Sequence, residues 1–130
     1  MNRVNRAARK RAESRGRRGE ALAALWLRLK GYRVLARHVR TAVGEIDLVA
    51  RRGRVVAFVE VKVRADRAQA SQAILAQQRR RIHRAAQMFL QRHPQLASCD
   101  QRFDAVLITP FRPPCHIMDA WRDADSRDMR

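Results

Sequence analysis

The sequence predicts an α/β domain, a mixed sheet flanked by helices in the order α-β-β-β-α-β-β. Three observations predict it. Apolar residues recur with a helical period over residues 20–30 and again over 71–92. Five other segments are short, rich in Val, Ile, Leu and Phe, and bounded by Gly, Pro or polar residues. The length of 130 residues is enough for one domain with a modest core.

The first helix, 20–30, places Leu22, Leu25, Trp26 and Leu29 on one apolar stripe. Ala23, Ala24 and Leu27 make a second face of smaller residues, and Glu20 heads that face. Gly31 stops the helix. Residues 32–39 form a first strand. Residues 43–50 and 54–63 form a hairpin around an Arg52-Gly53 turn. The second helix, 71–92, buries Ile74, Ile82, Ala85, Ala86 and Phe89, and Pro94 ends it. Strands follow at 103–108 and 115–121. The expected organisation is a basic flexible arm at 1–18, or else an extension of the first helix, then one domain at 19–121 and a polar tail at 122–130.

Charge narrows the functional classes. The formal net charge is +17 and the sequence pI is about 11.8. Such an excess calls for a polyanionic partner, nucleic acid first and an anionic membrane surface second. No apolar run approaches the ~20 residues of a spanning helix, and no apolar segment of a secretory signal follows the basic start. The expected place is therefore the cytoplasm, without a membrane partner. Cys99 and Cys115 are far apart, so neither a cytoplasmic disulfide nor, with His116, a zinc site is expected. Only Lys10, Lys30 and Lys62 among the 29 basic residues are lysine. Against an arginine-rich background, that hints that an amine is wanted at Lys62.

The hairpin holds the chemistry. It carries Glu45, Asp47, Glu60 and Lys62 among good core residues. A turn at Arg52-Gly53 pairs 47 with 58 and 45 with 60, which puts all four charges on one side and sets Asp47 diagonal to Glu60. Ile46, Leu48, Val59, Val61 and Val63 then form the buried side. Clustered carboxylates raise each other's pKa unless a cation lies between them. Oxygen ligands in an incomplete shell suit Mg²⁺ or Mn²⁺. The same spacing also fits a ladder of surface salt bridges, and spacing alone does not choose.

"GEIDLVA" followed by "FVEVKVR" resembles the YraN-like family of small bacterial proteins, in the restriction-endonuclease-like PD-(D/E)XK superfamily. That superfamily also contains Holliday-junction resolvases of archaeal type. "RGEALAALWLRLKGYRVL", "QRRRIHRAAQMFL" and "RFDAVLI" extend the resemblance over 19–121. It implies a restriction-endonuclease-like core and a D…ExK set at Asp47, Glu60 and Lys62, with Glu20 as the acidic residue of the first helix. Three positions depart from the pattern. Ile46 stands where the superfamily name has proline, Gln77 where lysine is expected, and His38 where asparagine is expected.

The expected function is a metal-dependent endonuclease. Asp47, Glu60 and Glu20 would hold Mg²⁺ or Mn²⁺, and Lys62 would assist attack on the phosphodiester. Arg15, Arg17, Arg18, Arg64, Arg80, Arg81 and Arg84 would hold the nucleic-acid backbone, DNA before RNA, with branched DNA in view. A homodimer is implied by junction-cleaving relatives that pair two sites. The competing expectations are a non-catalytic nucleic-acid-binding protein that keeps the fold and a basic factor associated with ribosomes or other proteins.

Overall fold

The computed structural model describes residues 3–66 and 76–121, with side chains described for 16–66 and 78–121. Expectations on Ile74, on the first turn of the second helix and on the 122–130 tail lie outside the described residues, as do the side chains of Arg15 and Gln77. The elements are α1 (Arg3–Leu29), β1 (Arg33–Thr41), β2 (Gly44–Arg52), β3 (Val55–Val63), α2 (Ala76–Arg92), β4 (Asp100–Ile108) and β5 (Cys115–Trp121). A 3-10 turn, Pro94–Leu96, follows α2. The predicted α-β-β-β-α-β-β order is the observed one.

The five strands lie side by side in chain order, β1-β2-β3-β4-β5. Only β3 and β4 pair in parallel. A parallel pair needs a long crossover, and α2 supplies it. Both faces of the sheet are covered. On one, α1 lays Ala23, Ala24 and Leu27 over Leu48, Ala50, Ala57, Val59 and Val106. On the other, α2 lays Ile82, Ala85, Ala86 and Phe89 over Ile46, Val49, Val56, Phe58 and Phe103.

Two open points are resolved here and one expectation is corrected. First, the large stripe of α1 is not the core face. Leu22, Leu25 and Leu29 are 42%, 51% and 74% exposed, whereas Ala23, Ala24 and Leu27 are fully buried. Small residues let the helix lie close to the sheet. A Cβ at Gly19 would run into Val63 Cγ2. Close approach gains more dispersion contact than a layer of leucines held further out. Second, α1 begins at Arg3, so of the two readings of the basic segment its backbone follows the helix extension. Its Ala, Arg, Lys and Glu are strong helix formers, and no proline interrupts them.

Third, the hairpin turns one residue later than expected. Arg52 pairs with Val55 and Leu48 with Val59, so Gly53 and Arg54 are the loop. Gly53 has φ 60, the glycine-first pattern of a II′ turn. The register therefore moves by two. A shift of two preserves which residues share a face, and a shift of one would not. The paired ladder ends at Leu48 and Val59, with Asp47 and Glu60 the next residues beyond it.

No helix among the described residues is long and apolar enough to cross a membrane.

Candidate active site

At Asp47 the hairpin stops being a simple ladder. Ile46 belongs to the α2-side core, yet Leu48, two residues on, belongs to the α1-side core. Regular alternation would put both on one face. The predicted division, with charges on one side and Ile46, Leu48, Val59, Val61 and Val63 on the other, thus fails at this residue. Both faces of this sheet are needed for core, so no open face is left for a row of charges. Instead β2 and β3 part at Asp47, whose Oδ2 accepts a hydrogen bond from the Val61 amide at 2.8 Å. The carboxylate occupies the place of a ladder partner.

Into this gap come the predicted residues. Glu60 and Lys62 share one side of β3, and Lys62 Nζ lies 3.0 Å from Glu60 Oε1. Their side chains are only 13% and 10% exposed. Glu20 reaches the same gap from the buried face of α1, where its spacing to Ala23 and Leu27 placed it. A cavity of about 820 Å³ is lined by Glu20, Asp47, Glu60 and Lys62, with Arg64 and Thr109 on its wall. Asp47 and Glu60 also line a smaller cavity of about 440 Å³ toward α2, with Glu45, Gln78 and Arg81. The paired carboxylates are thus reached from both sides of the sheet.

The electrostatics follow from crowding. Burial raises the Glu60 pKa, the Asp47 charge raises it further, and the Lys62 ammonium opposes both; the result is about 7. Asp47 is pushed up chiefly by burial, against the Val61 N–H and hydrogen bonds from Glu60 and Glu20. Glu20 is raised by burial and then by Asp47, with His38 opposing. Burial and the mutual repulsion of the three carboxylates thus favour their protonated forms, and the Lys62 ammonium opposes this at Asp47 and Glu60.

The remaining predicted residues divide. Arg64 and Arg81 line the two carboxylate cavities, and Arg17 lines a groove with Glu20. Arg18 and Arg84 are exposed and Arg80 half-buried, and none of the three lines those cavities. Glu45 is 58% exposed and 3.7 Å from Arg40 Nε, and it lines only the smaller cavity, so it lies at the edge of the expected four-charge cluster. Among the described residues, no group of three or more His, Cys, Asp and Glu side chains forms a ready-made metal shell.

Sequence reasoning missed a second polar centre. Asp104, fully buried on β4, accepts bonds from Arg102 Nε and Nη2, each at 2.8 Å, and from the Asp119 amide at 3.0 Å. His116 Nε2 lies 2.8 Å from the same carboxylate, and Lys30 Nζ lies 2.6 Å from His116 Nδ1. The Tyr32 hydroxyl accepts from Arg102. These contacts, chiefly the His116 ring and the charged Arg102, hold Asp104 below the usual carboxylate range despite its burial. The network ties the end of α1 to β4 and β5. Its members lie up to 86 residues apart, and Asp104 and His116 meet only because β4 and β5 pair.

Comparison with known proteins places the same residues inside a family. The model of the "Uncharacterised protein family UPF0102" matches residues 19–108, which include Glu20, Asp47, Glu60 and Lys62. A UPF0102 protein of Paramagnetospirillum magneticum is 56% identical over 119 residues, covering 88% of this chain and 92% of that one. A relative from Parvibaculum lavamentivorans is 57% identical over 107 residues, covering 82% and 80%. One from Maricaulis maris is 50% identical over 123 residues, covering 94% and 97%.

Proposed function

The chain belongs to the UPF0102 family, and we propose that it is a metal-dependent nuclease of PD-(D/E)XK type, hydrolysing phosphodiester bonds of DNA. One observation carries the reading: Glu20, Asp47 and Glu60 meet Lys62 in a single buried gap that opens to solvent through an 820 Å³ cavity. A structural salt-bridge ladder has no reason to concentrate three carboxylates in one cavity that holds a single ammonium. Such a cluster is held at a cost, which a bound cation removes.

The donor set fits Mg²⁺ or Mn²⁺. All its ligating atoms are carboxylate oxygens, and Mg²⁺ needs only one or two carboxylates beside waters and a substrate phosphate. Asp47 and Glu60 would hold the ion, with Glu20 contacting it or one of its waters. When bound, the ion lowers the pKa of water and neutralises charge that builds on the phosphate. The Val61 amide fixes Asp47, so that this carboxylate keeps its aim as charge develops. Lys62, held at 3.0 Å from Glu60, presents an ammonium to the attacking water or to a phosphate oxygen. The water oxygen bonds to phosphorus and gives up a proton to solvent, one bridging P–O bond breaks, and the departing oxygen takes up a proton from solvent. Arg64 and Arg81, at the two openings, would hold the strand by its phosphates without reading bases.

The test is nicking of branched, duplex and single-stranded DNA with Mg²⁺ or Mn²⁺, beside an Asp47→Ala control. Metal-dependent product from the parent and none from Asp47→Ala is expected. DNA binding without product across metals and substrates would instead make the chain a binding protein that keeps the fold.

A further inference from the structure

The strand beside the carboxylates carries Arg37, His38 and Arg40 within four positions. Regular alternation would send Arg37 and His38 to opposite faces of the sheet. Both instead line one groove, with Arg40 on the same wall and Arg17 and Glu20 of α1 facing them across about 550 Å³. The break in alternation has a visible cause. His38 adopts a left-handed backbone, φ 52, inside a strand. A non-glycine residue there costs on the order of 1 kcal/mol, and such positions gather at functional sites. The His38 ring bridges the groove to the carboxylates. Arg40 Nε donates to His38 Nε2 at 3.1 Å, and Nδ1 faces Glu20 Oε1 at 3.4 Å. Arg40 also stands 3.7 Å from the exposed Glu45. Among the described residues neither Arg17 nor Arg37 has a carboxylate partner. Gly16 and Glu20 line this groove and the carboxylate cavity alike, so the two adjoin.

We propose that this groove is a phosphate seat, which holds the phosphate next to the one presented to Glu20, Asp47 and Glu60 on the same strand. Which phosphate it holds rests on the nuclease reading above; that it holds one rests on the groove. Three guanidinium groups line the groove, and guanidinium matches phosphate oxygens in pairs. Glu20 is the one anion of the lining, and the Arg40–His38 chain is turned toward it, so the groove remains cationic. A phosphate held here fixes how far the strand advances past the carboxylates, which sets the position of attack independently of base sequence.

The test reads binding, without cleavage. A labelled 20-base-pair DNA duplex is titrated in EDTA across a salt series, with the parent, an Arg37→Gln/Arg40→Gln variant and an Arg54→Gln variant. Arg54 is exposed at the hairpin turn, outside this groove. Losing the one seated phosphate should lower the slope of log K against log salt by about 0.9, while Arg54→Gln leaves it within error. In parallel, inorganic phosphate is titrated while the His38 imidazole resonances, assigned with His38→Gln, are followed by NMR. A saturable shift is expected in the parent and not in Arg37→Gln/Arg40→Gln, nor with chloride at equal ionic strength. Equal slopes for the two arginine variants, or a His38 resonance unmoved by phosphate, would overturn the seat and leave the nuclease reading standing. Absence of cleavage by the parent would end the nuclease reading without touching this result.

Discussion

Glu60 is the residue on which protonation and stability meet. Its carboxyl is raised from about 4.5 to about 7 in the folded chain. Between those values the folded state keeps a proton that the unfolded state releases, so stability must fall as pH rises through the window. Asp47 and Glu20 are raised too and act in the same direction. Asp104, which is lowered, loses its contribution only at more acid pH. Urea unfolding in EDTA should therefore show lower stability at pH 8 than at pH 5, by at most about 3 kcal/mol from Glu60, at ~1.4 kcal/mol per pH unit. Glu60→Gln should flatten the dependence, and Mg²⁺ should stabilise the parent more at pH 8 than at pH 5. An undiminished slope in Glu60→Gln would place the proton elsewhere. Lys62 is tested by its nearest relative. Arginine keeps the charge, but its fork is broader than an ammonium and does not deprotonate in proteins. With only 10% of the lysine side chain exposed and Glu60 at 3.0 Å, the fork could not take the ammonium's place without moving Glu60. Lys62→Arg should lose at least tenfold in cleavage rate while DNA affinity in EDTA stays within about twofold. A variant as active as the parent would reduce Lys62 to a generic cation.

Among the elements, α1 and the hairpin explain how the gap is built and why the sequence disclosed only part of it. The helical period over 20–30 was legible, and so was the fact that Glu20, Ala23 and Leu27 share a side. Which of two apolar faces turns inward was not, because periodicity ranks faces by hydrophobicity while packing ranks them by how closely they fit. The alanine face fits, since Gly19 already lies against Val63. The consequence is measurable. Leu27→Ala should cost about 2–5 kcal/mol, as a buried leucine does. Leu25→Ala, at a larger apolar stripe that is 51% exposed, should stay within about 0.5 kcal/mol. Comparable destabilisation at both positions in chemical unfolding would mean that the leucine stripe is covered in solution. In the hairpin, the grouping of Asp47 with Glu60 survived a turn placed one residue early because the error in register was even. Its local geometry was not legible. The parting of the strands depends on the Val61 amide donating to a side chain instead of a backbone carbonyl, and His38 carries no sequence mark of its left-handed backbone. The Asp104–His116 pair was hidden by distance along the chain, since only the β4–β5 register brings it together.

At the scale of the whole molecule, the net charge of +17 surrounds an acidic gap. The cations outside it concentrate along α1, on α2 and on β1. They create a long-range attraction for any polyanion, whereas the carboxylates repel phosphate until a divalent ion or protons neutralise them. Binding and chemistry are thus carried by separate charges and can be separated by experiment. The segment 3–15 contributes Arg3, Arg6, Arg9, Lys10, Arg11 and Arg15, six cations on a backbone that continues α1. Replacing all six by glutamine keeps the chain length and a good helix former at each position. If these residues neutralise phosphates, each one replaced should remove ~0.9 from the slope of log K against log salt on duplex DNA, up to about 5 in all. Because phosphate contacts carry no base information, preference among DNA sequences should not change. Cleavage at saturating DNA should also persist, because Glu20, Asp47, Glu60 and Lys62 all lie beyond the replaced segment. The measurement is a salt series in EDTA for binding, paired with single-turnover cleavage in Mg²⁺ at saturating protein. An unaltered salt slope would show that the segment makes no phosphate contacts. A lowered single-turnover rate at an unaltered slope would tie the segment to the gap itself.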